Sequence, residues 1–574
     1  MIEEAKKWLH HQDLDDDLRE EIEKSDDAEL NDMFYGDLAF GTGGMRGIMG
    51  AGTNRFNVYT LRRANQGFAE YLKSLFDMDT LKKRGVVIAH DNRRNSRFFA
   101  KESAQLLAKN GIICHLFDDL RPTPELSFAV RHLNAAGGIM ITASHNPPEY
   151  NGYKIYDDSG CQLTPDKADR VIEYVNAIDD VFSLEILDYD DMINQGLMKI
   201  IGDDIDKAYL DLVKSIRLHP DVDKHPTIVF TPLHGTSATI GLRLLKETGY
   251  DVHTVKEQVL PDPDFSTVES PNPENEAAFA MAIELGKKIG AEMLIATDPD
   301  ADRLGIAIKT KHSYTLLNGN QTGAFLLYYL LGEGNELGTL PKNGVVFNTI
   351  VTSELGAKIA RDFGYEVIST LTGFKFIGEQ ARLLEDTDRS FIFGYEESFG
   401  YLINDGVRDK DALQAMLLAS EALCFYASRN RSIDDVLHEI YERYGYYHED
   451  LISIMHKGIE GKKTIARIMK YFRDNPPKEV AGKKITVVED YKKQKRMVAF
   501  KDTEPLELPQ SNVLKFFVED DFWFVLRPSG TEPKLKLYIA GKADDKASVH
   551  HGVNAIRNDV RNKIKAIEEG ARDD

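Results

Sequence analysis

Residues 86–94, VVIAHDNRR, run from a β-branched apolar strand into a polar loop and on into helical periodicity. The same order returns at 227–235, TIVFTPLHG, and at 345–353, VVFNTIVTS. A strand that ends in a polar, Gly- or Pro-containing loop and is followed by a helix is the repeating unit of a parallel sheet. The three copies lie about 120–140 residues apart, so each reads as the first core strand of its own α/β unit, a repeat of pattern and not of identity. After Arg443 the texture changes. KKTIARIMKYFRD is helical, whereas ITVVED, RMVAF, VLKFFVEDDFWFVLRPSG and LKLYIAG alternate as antiparallel strands do. The expected fold is therefore α/β with four domains: three related α/β domains with mixed sheets, at 1–203, 204–316 and 317–443, and a C-terminal α+β domain at 444–574. No low-complexity linker separates them, so they are expected to pack around a central cleft.

The length of 574 residues fits such a count, at roughly 100–200 residues per domain. With 42% hydrophobic and 29% charged residues and 20 prolines, the chain can bury several cores, which excludes global disorder. The formal net charge of −22 repels phosphate backbones and anionic bilayers, so neither nucleic acid nor a membrane surface is an expected partner. An anionic small molecule would need a local cluster of Arg, Lys and backbone N–H groups. Cys114, Cys161 and Cys424 are far apart and lack the C-x-x-C spacing of a zinc or dithiol site, which fits a reducing cytoplasm. The acidic N-terminus, MIEEAKKWLHHQDLDDDLREE, has no signal-peptide pattern and reads as a helix. The longest apolar run, 324–331, is far short of the roughly 20 residues that span a bilayer.

Four segments carry chemistry. GGIMITASHNPPEYNGYKIY, 137–156, is a buried-strand signal that breaks into a loop holding Ser144, His145, Asn146 and Lys154 at the edge where open α/β sheets bind ligands. A Ser-His-Asp hydrolase reading fails because adjacent Ser144 and His145 in an extended loop point apart. MLIATDPDADR, 293–303, ends a strand in Asp298, Asp300 and Asp302 at alternate positions; extended alternation turns all three to one side, where a divalent cation neutralises them. An EF-hand is excluded by Arg303 and Lys309 where Gly and Glu are required, and the open three-carboxylate set suits Mg²⁺. FIFGYEESFGYLINDGVRDKDAL, 391–413, places Glu396, Glu397 and Ser398 at a loop tip able to accept hydrogen bonds from a sugar, with Arg408 and Lys410 following. VLRPSGTEPKLKLY, 525–538, gathers Arg527, Ser529, Gly530 and Thr531 into a loop able to grip phosphate, although an ordinary β-turn accounts for Pro-Ser-Gly equally well. GTGGMRG, 41–47, adds Arg46, and LTGFKFIG, 371–378, adds Lys375. Neither fits a dinucleotide or Walker loop.

In this order TASHNP, DPDADR, GYEES and RPSGT resemble the α-D-phosphohexomutase family, in particular its bacterial phosphoglucomutase branch, from about Asp32 onward. The resemblance implies that Ser144 is the phosphoserine, that Asp298, Asp300 and Asp302 hold Mg²⁺ with a serine-phosphate oxygen, and that Arg303 adjoins them. It implies that Glu396 and Ser398 bind the sugar, with Arg408 beside them, and that Arg527, Ser529, Gly530 and Thr531 hold the distal phosphate. Arg46, His145, Lys154 and Lys410 match positions tied to proton transfer or charge stabilisation. Thr372, Gly373 and Lys375 resemble the loop that tells the sugar's two orientations apart. The implied reaction interconverts glucose 1-phosphate and glucose 6-phosphate through a bound glucose 1,6-bisphosphate, which also primes the enzyme as an activator; the partners are small-molecule sugar phosphates. PPEYNGYKIY after the serine and an extra Tyr395 depart from the commoner family pattern near the expected sugar site. They leave phosphomannomutase, phosphopentomutase and sugar-bisphosphate synthase as alternatives. Two rivals come from outside the enzyme class so defined. A haloacid-dehalogenase-type enzyme would use Asp298 as nucleophile, but Asp302 stands where Thr or Val is required. A non-catalytic phosphosugar sensor would not need the intact serine and aspartates.

Overall fold

The computed structural model describes residues 2–41, 43–311, 313–456, 458–529 and 534–570. They form two compact units, Met1–Val346 with Phe374–Ile433, and Phe347–Gly373 with Asp434–Asp574.

In the first unit a seven-stranded sheet runs in the order Phe40–Gly41, Gly44–Ile48, Tyr150–Tyr156, Gly137–Ile141, Val86–His90, Cys114–Phe117 and Met198–Ile201. Val86–His90 pairs parallel with both of its neighbours, while Tyr150–Tyr156 returns antiparallel to Gly137–Ile141, so the sheet is mixed. All five residues of Val86–His90, and all five of Gly137–Ile141, are buried, as strands covered on both faces require. A five-stranded sheet repeats the plan. Met293–Thr297 pairs parallel with Thr227–Thr231 and antiparallel with Leu304–Lys309. In a third copy, Ser390–Glu396 folds back on Gly400–Leu402. Each time, the sequence motif is the loop between a strand and its antiparallel return.

The helix Ala412–Ala427 begins just after the third motif and is buried along almost its whole length, as an all-round apolar helix must be. Its buried Glu421 is compensated by the N–H groups of Leu218 and His219 and by the Tyr329 hydroxyl. Among the described residues no helix is long and apolar enough to cross a membrane.

The acidic N-terminus differs from the single helix expected. Helix Glu3–His10 stops and Asp16–Lys24 starts anew, because the Asp15 carboxylate caps the N–H groups of Asp17 and Leu18. These helices and Asp27–Phe34 surround Trp8, which meets Phe34, Tyr59 and Phe182 edge-on.

Within the second unit, strands Tyr446–Met455, Lys534–Ala543, Phe522–Pro528, Leu514–Val518 and Lys483–Asp490 pair antiparallel in that order, with helices Gly458–Asp474 and Lys546–Glu569 packed near them, the expected α+β pattern. Lys515 explains how residues 347–373 join this unit. Its buried ammonium donates to the Ile350 carbonyl at 2.8 Å and lies 4.7 Å from the rings of both Phe517 and Trp523.

One buried acid in the first unit carries a stability prediction. Glu125 is fully buried, its oxygens accept no hydrogen bond among the described residues, and Arg121 Nε is 3.9 Å away. Burial, and then the neighbouring Asp206 charge, push this carboxyl well above the ordinary range. The folded state therefore binds a proton more tightly than the unfolded chain, so stability falls as pH rises above the unfolded value of about 4.5. Glu125→Gln should raise the melting temperature at pH 8 by a few degrees, corresponding to roughly 1–3 kcal/mol, and the gain should vanish toward pH 4. Melting curves at both pH values would refute this if the variant were no more stable at pH 8.

Candidate functional site

Strand Gly137–Ile141 delivers Ser144 at its carboxyl end, almost completely buried and with the left-handed φ of 52°. A non-glycine residue there costs on the order of 1–2 kcal/mol, and a dense network holds it. The Ser144 N–H donates to Thr142 Oγ1 at 2.9 Å, and that hydroxyl donates to Asp91 Oδ2 at 2.7 Å. Arg93, paired with Asp91 at 3.3 Å and wholly buried, donates to the carbonyls of Ser144, Asn146, Pro147 and Tyr150 at 2.6, 2.5, 2.8 and 3.0 Å. One guanidinium thus shapes the whole loop, using the fork of donors that Arg alone provides. Neither Arg93 nor Asp91 was singled out from sequence; the available cue was an Asp-x-Arg pair immediately after a buried strand.

Adjacent Ser144 and His145 do not point apart, as an extended loop would require. The left-handed turn at Ser144 brings Nδ1 to 3.2 Å from Oγ. Burial, followed by the charges of Arg303 and Arg46, holds His145 well below its ordinary pKa, so the imidazole is neutral at pH 7. Among the described residues no carboxylate hydrogen-bonds to it, and the hydrolase triad remains excluded on that ground.

The three aspartates lie beyond strand Met293–Thr297, with ligand oxygens within 4.8 Å of one another and all three residues buried. The loop is a tight turn and not the extended segment anticipated: Ala301 is left-handed at φ 52° and its N–H donates to the Asp298 carbonyl. Gly235, at the end of the second repeat's strand and loop, approaches so closely that a Cβ would lie 2.4 Å from Pro299 Cα.

The charges are shared unequally. Lys154 Nζ is 2.7 Å from Asp300 Oδ2 and 3.2 Å from Asp302 Oδ2, and Lys410 Nζ is 2.9 Å from Asp302 Oδ2. Burial works to raise Asp302, but Lys410, Lys154 and Arg303 outweigh it and hold the carboxyl well below its usual range. At Asp300, burial and Asp302 are likewise outweighed by Lys154. Asp298 has no lysine. Its Oδ2 accepts from Ser144 Oγ at 2.8 Å and its Oδ1 from the N–H groups of Asp302 and Arg303, while burial and then its two neighbouring aspartates raise its pKa strongly. Asp300 Oδ1 and Asp302 Oδ1 are buried without a hydrogen-bond partner. Two orphaned carboxylate oxygens in a buried trio fit a hard divalent cation, which takes oxygen ligands.

The remaining expected residues divide into groups. Arg46 donates to Asn146 Oδ1 at 2.8 Å, at the edge of the serine loop. Arg303 pairs with Glu274, a partner not singled out from sequence, and lies 3.9 Å from Asp302 Oδ1. Glu396 and Ser398 sit in the hairpin where Glu396 faces Gly400, and the Phe399 carbonyl accepts from Leu304 N–H, which ties this loop to the aspartate loop. A Cβ at Gly400 would meet the Lys410 side chain, so glycine leaves the lysine its path. Arg408 pairs with Glu385 and Asp405 and not with the aspartates. Lys375 lies over the Phe376 ring on helix Phe374–Leu384. Tyr395, directly before Glu396, is fully buried against Phe393. Thr372, Gly373, Arg527 and Ser529 belong to the second unit, where Arg527 is the last residue but one of strand Phe522–Pro528 and Ser529 follows it. Gly530 and Thr531 lie outside the described residues.

Family models described as phosphoglucomutase/phosphomannomutase match the chain four times: α/β/α domain I at 37–182, domain II at 207–311, domain III at 318–444 and the C-terminal domain at 478–558. A phosphoglucomutase of Staphylococcus aureus strain MRSA252 is 40% identical over 539 residues, 93% of this chain and 95% of the relative. Among solved structures, a phosphoglucomutase/phosphomannomutase family protein from Burkholderia thailandensis superposes with a TM-score of 0.66 at 18% identity, covering 92% of this chain and 98% of that one. The open form of Paramecium parafusin, a phosphoglucomutase, gives 0.67 at 19% identity, covering 93% and 96%. These two share the fold.

Proposed function

The chain belongs to the phosphoglucomutase/phosphomannomutase family of α-D-phosphohexomutases, and from that premise we propose that it interconverts glucose 1-phosphate and glucose 6-phosphate through phosphorylated Ser144 and a glucose 1,6-bisphosphate intermediate. The observation that carries the reading is the hydrogen bond from Ser144 Oγ to Asp298 Oδ2, joining two motifs 154 residues apart in sequence.

In this reading Asp298, Asp300, Asp302 and the phosphorylated serine hold Mg²⁺, which when bound withdraws charge from the transferring phosphoryl group. The protein's own groups do the rest. Lys154 and Lys410 neutralise the aspartates before the substrate arrives, and in this reading their ammonium groups also meet phosphoryl oxygens. His145, neutral and beside Oγ, is able to accept a proton during transfer. Glu396 and Ser398 accept and donate hydrogen bonds to sugar hydroxyls, with Arg303 and Arg408 in support. Arg46 adds charge at the serine loop. Arg527, Ser529, Gly530 and Thr531 hold the phosphate that is not reacting, while Thr372, Gly373 and Lys375 discriminate the two sugar orientations. The proposal extends to domain limits near 204, 317 and 444, to priming by glucose 1,6-bisphosphate, and to a cytoplasmic location, supported by three buried free cysteines.

The test is kcat/KM for glucose 1-phosphate, mannose 1-phosphate and ribose 1-phosphate at saturating Mg²⁺ and trace bisphosphate. Glucose 1-phosphate should lead by roughly tenfold or more, the ~1.4 kcal/mol of about one hydrogen bond. A preference for mannose or ribose phosphate would transfer the assignment to that sugar, and no turnover with any of them would favour the sensor.

A further inference from the structure

Thr123 opens helix Thr123–His132 and is fully buried. It lies outside every motif that the sequence singles out, yet it grips one of the three aspartates twice. Its hydroxyl donates to Asp300 Oδ2 at 2.8 Å, and its backbone N–H donates to the Asp300 carbonyl at 2.9 Å. First-turn N–H groups of a helix have no partner within the helix, so this one is free to serve another segment, 177 residues away in sequence. The helix start is itself anchored: Arg121, two residues earlier, donates to both carboxylate oxygens of Asp206 at 2.7 and 3.1 Å.

The consequence lies in which oxygen of each aspartate is taken. Asp300 Oδ2 accepts from Thr123 and from Lys154, and Asp302 Oδ2 accepts from Lys154 and is paired with Lys410. In both residues Oδ1 is left buried with no hydrogen bond among the described residues, Arg303 Nε standing 3.9 Å from that of Asp302. One oxygen is held and the other presented. A carboxylate free to rotate could offer either oxygen, and fixing it removes that freedom before a cation binds. The two lysines hold by charge, which a cation of the same sign opposes. Thr123 is neutral and holds by geometry alone.

We propose that Thr123 is a positioning residue for the metal ligand Asp300, fixing its carboxylate so that Oδ1 faces the cation and tying the aspartate loop to the first α/β domain. The inference rests on the reading that the three aspartates bind Mg²⁺.

The experiment is isothermal titration of Mg²⁺ alone into the full-length, dephosphorylated protein without sugar, for wild type, Thr123→Val, Thr123→Ser and Asp300→Asn. Thr123→Val keeps the shape and the N–H and removes only the hydroxyl. It should weaken Mg²⁺ binding by about 10- to 100-fold, the range for loss of a ligand's outer partner. Thr123→Ser should restore affinity to within about threefold. At saturating Mg²⁺ the KM of Thr123→Val for glucose 1-phosphate should match wild type, and its activity at low Mg²⁺ should recover as the cation is raised. If the valine variant does not fold, Thr123→Ala is read in its place. Wild-type affinity in the valine variant, or failure of the serine variant to rescue, would overturn the role of Thr123. If wild type bound no Mg²⁺, or Asp300→Asn bound it normally, the metal reading itself would fall.

Discussion

Ser144→Ala is expected to lower mutase turnover by at least about 10⁴-fold, some 5.5 kcal/mol of transition-state stabilisation, while the protein folds and still binds sugar phosphate. The substitution removes one oxygen. The Thr142 and Arg93 hydrogen bonds that set the loop use the Ser144 backbone and survive it. What is lost in the folded state is the hydrogen bond to Asp298 Oδ2 and the contact with His145 Nδ1; the first leaves a buried acceptor unpaired at a cost of about 1–3 kcal/mol, and this deficit should shrink when Mg²⁺ is added. Intact-mass spectrometry should find a wild-type fraction heavier by one phosphoryl group, absent from the variant and stable to hydroxylamine. Hydroxylamine-labile phosphate would move the nucleophile to Asp298, as in the dehalogenase-type rival. Acid-labile phosphate mapping to His145, only 3.2 Å from Oγ, would move it there. Either result, or normal turnover in the variant, sinks the phosphoserine mechanism.

The aspartates are expected to be equally necessary for activity and opposite in stability. Asp298→Asn and Asp302→Asn should each reduce turnover at ordinary Mg²⁺ concentration by on the order of 10³-fold or more, through loss of charge in the ligand set. In EDTA the two should separate. Asp298 has no lysine partner and is opposed by two neighbouring carboxylates, so its neutralisation relieves repulsion, and an asparagine oxygen still accepts from the N–H groups of Asp302 and Arg303. Its melting temperature should equal or exceed that of wild type. Asp302 is the shared counter-charge of Lys154 and Lys410, so removing it takes the nearest carboxylate from the mostly buried Lys410 and leaves Lys154 with Asp300 alone, at a cost approaching the roughly 3–5 kcal/mol of a broken buried pair. Its melting temperature should drop by several degrees. Melting curves in EDTA decide the matter. A stabilised Asp302→Asn would contradict the charge assignment, and full activity in either variant would contradict the ligand assignment.

Much of the site was legible because its residues cluster in short loops at strand ends, where local sequence carries both the strand and the break. Ser144, Asp298, Asp300, Asp302, Lys154 and Lys410 were all named from such motifs, and the structure brings these six together, although Lys154, expected in the loop, stands on the returning strand Tyr150–Tyr156, where it pairs with Met140. The serine and aspartate loops were misread for one reason, which is that their backbone was taken as extended. Left-handed turns at Ser144 and Ala301 turn His145 toward the serine and gather the aspartates in a tight turn. Thr123, Arg93 and Glu274 were not found because each acts on a residue well away in sequence; RPTPE and PENE announce no partner, and the Asp-x-Arg pair in HDNRR announces only its own.

The sequence by itself determined the order of elements, the three α/β repeats with an α+β end, and which chemistry-bearing residues stand in each loop motif. Those follow from periodicity and from residue chemistry, both of which act over a few residues. Only the tertiary structure decided which oxygens are held and which are left open, which carboxylate goes without a lysine, and that residues 347–373 group with the C-terminal unit. Hydrogen bonds and charge pairs of this kind depend on distances of a few ångströms between segments more than a hundred residues apart, and folding sets those distances while local sequence does not.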